Sequence, residues 1–204
     1  MKKYNVAVVG ATGLVGRTFL KVLAEYDFPI NNLVLYASKR SAGSVINFKG
    51  KDYTIVELTH DAFDDIDIAL FSAGGGVSLE YAPIAAAKGA IVIDNSSAWR
   101  RDPNVPLVVP ECNAEDIKWH KNIIANPNCS TIQAMVALKP LHQAFTIKRV
   151  IYSTYQAVSG AGLKAINELT DNVKTNLVGM PYENEVFKYD KKWSHHFSYY
   201  PQYL

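Results

Sequence analysis

Apolar positions along this chain follow two alternating rhythms. Short β-branched runs end in glycine or a small polar residue, and each is followed by a stretch in which apolar residues recur every three to four positions. "YNVAVVG" (4–10) reads as a buried strand. The next segment places Val15, Phe19, Val22, Leu23 and Tyr26 on one helical face. "NLVLYAS" (32–38) is a second strand, closing a strand–helix–strand unit. "VINFKGKDYTIVEL" (45–58) reads as two strands about a Gly-Lys turn, and "DIALFSA" (67–73) as another buried strand. "SLEYAPIAAAKG" (78–89) is a helix that stops at Gly89, "AIVIDNSS" (90–97) a strand, and "PLVVPE" (106–111) extended. "NAEDIKWH" (113–120) opens on an Asn cap and reads as a short helix. "NIIANP" (122–127) is a strand, and "STIQAMVALKPLHQAF" (130–145) a helix with a kink expected near Pro140. "KRVIYSTYQAV" (148–158) predicts a long strand and "GLKAINELTDNVKT" (162–175) a helix. Strands alternating with helices predict an α/β fold with a doubly wound, mostly parallel sheet.

Composition narrows the class without changing that picture. Apolar residues make up 49% of the chain and charged residues 20%, which suits a soluble globular protein. A net charge of +2 is too small to point to a nucleic-acid partner. The N-terminal apolar run is too short for a signal peptide, and no segment is long enough to span a bilayer, so no membrane partner and a cytoplasmic location are expected. Cys112 and Cys129 form neither a CxxC pair nor a zinc spacing, so no metal site is expected.

Chemistry enters at the loops that follow the strands. "VGATGLVG" (9–16) sets Gly10, Gly13 and Gly16 after a strand and at the start of a helix. That is where a dinucleotide's pyrophosphate is held, because glycine permits close backbone approach and the helix start offers free N–H groups. A tight turn without a ligand would use the same residues. An NAD site usually has an acid at the end of the next strand. Here the strand ends in Ser38, Lys39, Arg40 and Ser41, which favours a 2′-phosphate and hence NADP, unless the stretch is only a solvated loop. "FSAGGGVS" (71–78) places Ser72 and Gly74 in a second glycine cluster, a candidate wrap for the nicotinamide side. "IDNSSAWR" (93–100) ends in Arg100, which suits a bidentate grip on phosphate or carboxylate, or a surface ion pair.

Cys129 follows "NPN" and opens a helix. A thiol at a helix N-terminus has its thiolate stabilised, as a covalent nucleophile needs, and the first-turn N–H groups can stabilise an oxyanion. The alternative is a small buried packing residue. Cys112 reads as structural. A thiol beside a nicotinamide suggests interconversion of an aldehyde and an acyl derivative, with a His as general base. His60, His120, His142, His195 and His196 have no motif around them, so none is assigned as that base.

Taken together, "GATGLVG", "ASKRSAG", "FSAGGGVS", "DNSSAWR", "VPLVVPE", "IANPNCSTIQ" and "TYQAVSGAG" resemble the aspartate-semialdehyde dehydrogenases, in family order and over about the first 175 residues. The resemblance implies a Rossmann-type NADP domain over 1–127, followed by the beginning of an α+β catalytic and dimerisation domain over 128–204. It implies NADP-dependent interconversion of L-aspartate 4-semialdehyde and L-4-aspartyl phosphate through a Cys129 acyl-thioester, on the path to lysine, threonine, methionine and diaminopimelate. Asn128 would help form the oxyanion environment, Gln156 orient the substrate, and Arg100 bind phosphate. Gly10, Thr12, Gly13, Leu14, Val15, Gly16, Ser38, Arg40, Ser41, Ser72, Gly74, Ser159 and Gly160 would hold the cofactor. The family continues beyond residue 204 with its general-base His, a substrate Arg and much of a homodimer sheet. From about residue 193 the chain departs from the family pattern, which reads as a frameshifted or otherwise truncated product, or a partial gene model. A cofactor-binding fragment without turnover, with impaired dimerisation and poor solubility, is therefore the alternative reading. An N-acetyl-glutamyl-phosphate reductase is a third, disfavoured by "SKRSAG" and "NPNCSTIQ".

Overall fold

The computed structural model describes residues 2–177. Residues 178–204, including the departing tail, His195 and His196, lie outside the described residues. The chain divides into two compact units, 1–155 and 156–204.

Eight strands and four helices build the first unit: β1 (Tyr4–Val9), α1 (Leu14–Glu25), β2 (Ile30–Ala37), β3 (Val45–Phe48), β4 (Lys51–Thr54), β5 (Val56–Glu57), β6 (Ile68–Phe71), α2 (Gly75–Ala87), β7 (Ile91–Asp94), α3 (Pro110–Asn113), β8 (Ile123–Ala125) and α4 (Cys129–Phe145). Six strands form one sheet in the order β5-β2-β1-β6-β7-β8, and every pairing in it is parallel. The order reverses at β1, which is the Rossmann pattern with its switch point between β1 and β6. Parallel strands need helical crossovers on both faces, so their residues are buried on both sides. Accordingly, Ala7 and Val9 of β1 enter one core cluster, while Val6 and Val8 enter the other. Tyr36, Phe63 and Phe71 stack through the first cluster, with ring centroids 5.3 and 5.8 Å apart.

Some expectations shift in detail. The buried face of α1 is Gly16 and Leu20, with Phe19, Leu23 and Ala24 packed beside it. Val15, Val22 and Tyr26 are exposed, because α1 turns its smallest residue toward the glycine loop. The hairpin β3–β4 turns at Lys49 and Gly50, both with positive φ, and Lys49 ion-pairs with Asp27 beyond the end of α1. The pair holds the Asp27 carboxyl below its ordinary value. The short helix expected over 113–120 is a single α-turn (α3) followed by a 3-10 helix over Ala114–Trp119. Helix α4 continues through Pro140.

The long strand expected over 148–158 is a correction: the described chain has no strand there. A β-branched, aromatic run becomes a strand only when a neighbour completes its hydrogen bonds, and none among the described residues does so. Ile151, Tyr152 and Tyr155 are exposed, as are Val136, Leu141 and Phe145 of α4, which has no buried residue. In the second unit a 3-10 turn (Val158–Ala161) leads through Gly162 into α5 (Leu163–Leu177). Ala165 and Glu168 of α5 are buried.

Gly10 is the tightest point of the sheet. It has φ +84°, and a Cβ there would stand 2.4 Å from the Ser72 carbonyl oxygen at the end of β6. The substitution Gly10→Ala is expected to lower folding stability by about 2 kcal/mol or more, read as a lower midpoint in urea unfolding.

Candidate active site

Because all six strands run the same way, the loops after β1, β2, β6, β7 and β8 emerge at one edge of the sheet. Nearly every residue singled out in the first unit lies in one of these loops or at the helix start that follows.

The glycine loop comes first. A Cβ on Gly16 would fall 2.2 Å from the Gly10 carbonyl oxygen and 2.8 Å from Ala11 Cα. Gly16 thus lets α1 press onto the loop, and the Gly13 N–H donates to the Gly10 carbonyl at 3.0 Å. Thr12 is held by its own carbonyl, which accepts from Arg17 Nε at 3.3 Å. No side chain caps α1 and its first turn carries no acid. Leu14 and Val15, in that first turn, are 46% and 38% exposed. A cradle that a side chain would fill, an uncapped helix start and exposed apolar residues beside it fit a dinucleotide.

After β2, Ser38 precedes a 3-10 turn formed by Lys39, Arg40 and Ser41. Ser38, Lys39 and Arg40 are exposed, and no carboxylate stands in this turn. After β6, the Ser72 N–H donates to the Val9 carbonyl, tying this loop to the end of β1. Gly74, at φ +91°, is the N-cap of α2, again without a side-chain cap. Helix α2 begins at Gly75, earlier than the sequence pattern suggested, so Gly75 and Gly76 form its first turn.

The loops after β7 and β8 are locked together. Asp94 is fully buried, and its Oδ2 accepts from the Ser96 hydroxyl at 2.6 Å and the Ser96 N–H at 3.2 Å. Arg100 donates from Nε to the Asn126 carbonyl at 2.9 Å and from Nη2 to the Asn95 carbonyl at 3.1 Å. Trp99 Nε1 donates to Ser78 Oγ of α2 at 2.9 Å, linking this loop to the helix behind Gly74. Arg100 is therefore a part-buried cation tied by its guanidinium to two backbone carbonyls at the strand ends.

Cys129 is the first residue of α4 and is exposed. Asn128 is the N-cap: its Oδ1 accepts from the Ser130 and Thr131 N–H groups at 3.0 and 3.2 Å. The Asn128 side-chain oxygen is thus committed to the helix, which leaves Nδ2 as the donor of that side chain. Ser130 Oγ stands 4.0 Å from the thiol sulfur. Cys112 is half-buried, and its thiol donates to the Met135 carbonyl of α4 at 3.4 Å, a packing role.

Three histidines are described, and each sits away from the thiol's helix start. His60 pairs with Glu80 of α2 at 3.1 Å. His120 precedes β8, at the opposite edge of the sheet, where its Nδ1 accepts from the Asn122 N–H. His142 lies in the last turn of α4, about 20 Å along the helix from Cys129. Gln156, Ser159 and Gly160 belong to the second unit. There a Cβ on Gly160 would meet Gln156 Nε2 at 2.6 Å, so Gly160 makes room for that amide.

The sequence reading passed over Asn95 and Asn126. The register Asp94↔Ala125 makes them the next facing pair, and "IDN" and "IAN" at two strand ends were the available signal. Among the described residues, no group of His, Cys, Asp and Glu is placed to hold a metal ion, and no helix is long and apolar enough to cross a membrane.

Two family descriptions match the chain: "Semialdehyde dehydrogenase, NAD binding domain" over residues 5–120, and "Semialdehyde dehydrogenase, dimerisation domain" over 138–194. An aspartate-semialdehyde dehydrogenase of Aquifex aeolicus is 64% identical over 174 residues, covering 84% of this chain and 51% of the relative. The crystal structure of aspartate semialdehyde dehydrogenase II from Vibrio cholerae, complexed with ASA, superposes with a TM-score of 0.87 at 49% identity, over 92% of this chain and 56% of the other. That of Candida albicans, with NADP, gives 0.62 at 28% identity, over 72% and 48%. The chain spans about half the length of the relatives it matches.

Loss of the cap is expected to be measurable apart from chemistry. Asn128→Ala should cost about 1 kcal/mol of stability, whereas Asn128→Ser should retain most of it, as read by urea unfolding.

Proposed function

The chain belongs to the aspartate-semialdehyde dehydrogenase family, and from that premise we propose that it carries the cofactor-binding and nucleophile-bearing part of an enzyme that interconverts L-aspartate 4-semialdehyde and L-4-aspartyl phosphate. The observation that carries this reading is the placing of an exposed thiol at the capped start of α4, on the same sheet edge as a dinucleotide cradle. Residues 1–127 form the cofactor domain in this reading, and the catalytic and dimerisation domain begins at 128. The match to a dimerisation domain supports assembly with a second copy.

Cofactor contacts divide by chemistry. Gly10, Thr12, Gly13, Leu14, Val15 and Gly16 hold the pyrophosphate against the uncapped start of α1. Ser38, Arg40 and Ser41 take the 2′-phosphate, because the turn after β2 offers cations and hydroxyls and no acid. Ser72 and Gly74 face the nicotinamide half. NADP, when bound, supplies the two-electron acceptor that converts the aldehyde adduct on Cys129 to a thioester.

The chain's own residues do the rest. The Cys129 thiolate adds to the aldehyde carbon, forming a C–S bond and placing negative charge on the former carbonyl oxygen. The α4 N-terminus and the Asn128 Nδ2 donor stabilise that oxygen. Gln156 orients the substrate. At the thioester stage a phosphate oxygen, held by Arg100, attacks the carbonyl carbon. The C–S bond breaks, and Cys129 leaves as thiolate with the acyl phosphate released. The helix start that stabilises the thiolate as nucleophile also makes it a good leaving group. A general base outside the three described histidines accepts the proton in this scheme.

Two substitutions test it. In an assay of NADPH formation from L-aspartate 4-semialdehyde, NADP and phosphate, Cys129→Ala is expected to lose more than about 10³-fold in kcat. Unchanged turnover would remove Cys129 from the chemistry. Arg40→Ala is expected to raise the Kd for NADP roughly tenfold or more, the loss of one charge-assisted hydrogen bond, with little effect on NAD, as measured by fluorescence titration.

A further inference from the structure

We propose that Asn126, through its side-chain pair with Asn95, is a positioning residue that fixes Arg100 and Cys129 relative to one another. The proposal rests on the reading above, in which Arg100 holds the incoming anion and Cys129 is the nucleophile.

Asn126 uses its backbone N–H, its backbone carbonyl and its side-chain Nδ2 at the sheet edge. Its N–H donates to the Asp94 carbonyl at 2.8 Å, and its carbonyl accepts from Arg100 Nε at 2.9 Å. Its Nδ2 donates to Asn95 Oδ1 at 2.7 Å and reaches the Pro127 carbonyl at 3.4 Å. Asn95 mirrors it one strand away, its N–H on the Phe71 carbonyl at 2.9 Å and its own carbonyl accepting from Arg100 Nη2. The guanidinium therefore bridges two backbone carbonyls whose side chains bridge each other. The amide pair closes the ring Arg100–Asn126–Asn95 through side chains, beside the backbone bond from the Asn126 N–H to the Asp94 carbonyl.

The same residue sets the thiol. Pro127 follows Asn126, fixes its own φ and keeps Asn126 extended, so the link onward to Asn128 and Cys129 is stiff. Asn128 then fixes the helix start through its cap. Cation and nucleophile thus share one point of attachment, three residues from the sulfur and one hydrogen bond from the guanidinium. Such sharing matters because a displacement of about 1 Å between reacting groups costs on the order of 10²-fold in rate. At its other end the loop that carries Arg100 is held by Asp94, Ser96 and the Ala98 N–H. The amide pair adds a side-chain tie between that loop and the nucleophile's strand, where Arg100 and the backbone ladder already join them.

The test is a double-mutant cycle with Asn95→Ala, Asn126→Ala and both together, plus Asn95→Asp, which keeps an acceptor for Asn126 Nδ2. Two quantities are read: KM for phosphate against KM for NADP, and the phosphate concentration that half-protects Cys129 from iodoacetamide. Each single substitution is expected to raise both phosphate values about tenfold, the loss of one part-buried hydrogen bond. KM for NADP should move little, the double variant should be no worse than either single one, and Asn95→Asp should stay close to the parent. Additive single effects, or lowered unfolding midpoints with unchanged phosphate values, would overturn the proposal. So would a parent whose Cys129 phosphate does not protect. If the parent lacks phosphate-dependent turnover but protection still weakens in the variants, the assigned activity fails and the positioning role stands.

Discussion

Everything proposed for the first unit depends on six strands pairing in parallel. Parallel hydrogen bonding forces each chain reversal to cross the sheet through a helix or long loop, so every strand delivers its next residue to the same edge. Gly10, Ser38, Ser72, Asn95 and Asn126 are those next residues for the five strands other than β5. Each could have been a bland loop position. Gathered on one edge, they form, in the proposed reading, a cofactor cradle, a phosphate-facing turn, a fixed guanidinium and a presented thiol. The switch point between β1 and β6 adds the crevice, and Gly10 with φ +84° lets the two strand ends close against each other there.

Helix starts divide the labour at that edge. The first turns of α1 and α2 have no side-chain cap, so their N–H groups and positive dipole ends face outward. Helix α4 differs. Asn128 takes two of its first-turn N–H groups, which fixes the geometry of the turn that carries Cys129. An open start suits a ligand that must bind and leave. A closed start suits a side chain that must stay in one place through addition and release.

Much of this was legible in the sequence because it rests on local rules. The glycine spacing, the absence of an acid at 38–41 and the Asn-Cys helix start each report a backbone requirement within a few residues. What could not be read depended on distant partners. The face of α1 was set one position off, because Gly16 is buried for its lack of a side chain and apolar periodicity does not score glycine. The run 148–158 has every strand propensity, yet pairing is a property of the neighbour, and no described neighbour pairs with it. Asn95 and Asn126 escaped notice because two polar residues 31 positions apart become partners only once the β7–β8 register is known. Arg100 was legible as a cation past a strand, but not as one already bound to two carbonyls.

The central claim is that Cys129 and the dinucleotide cradle serve one reaction. Mass spectrometry of the protein quenched after brief exposure to L-aspartate 4-semialdehyde tests it most directly. An aspartyl thioester on the Cys129 peptide, formed only when NADP is present and discharged by added phosphate, is the expected result. An acyl group on another residue, or a thioester that forms without NADP, would contradict it.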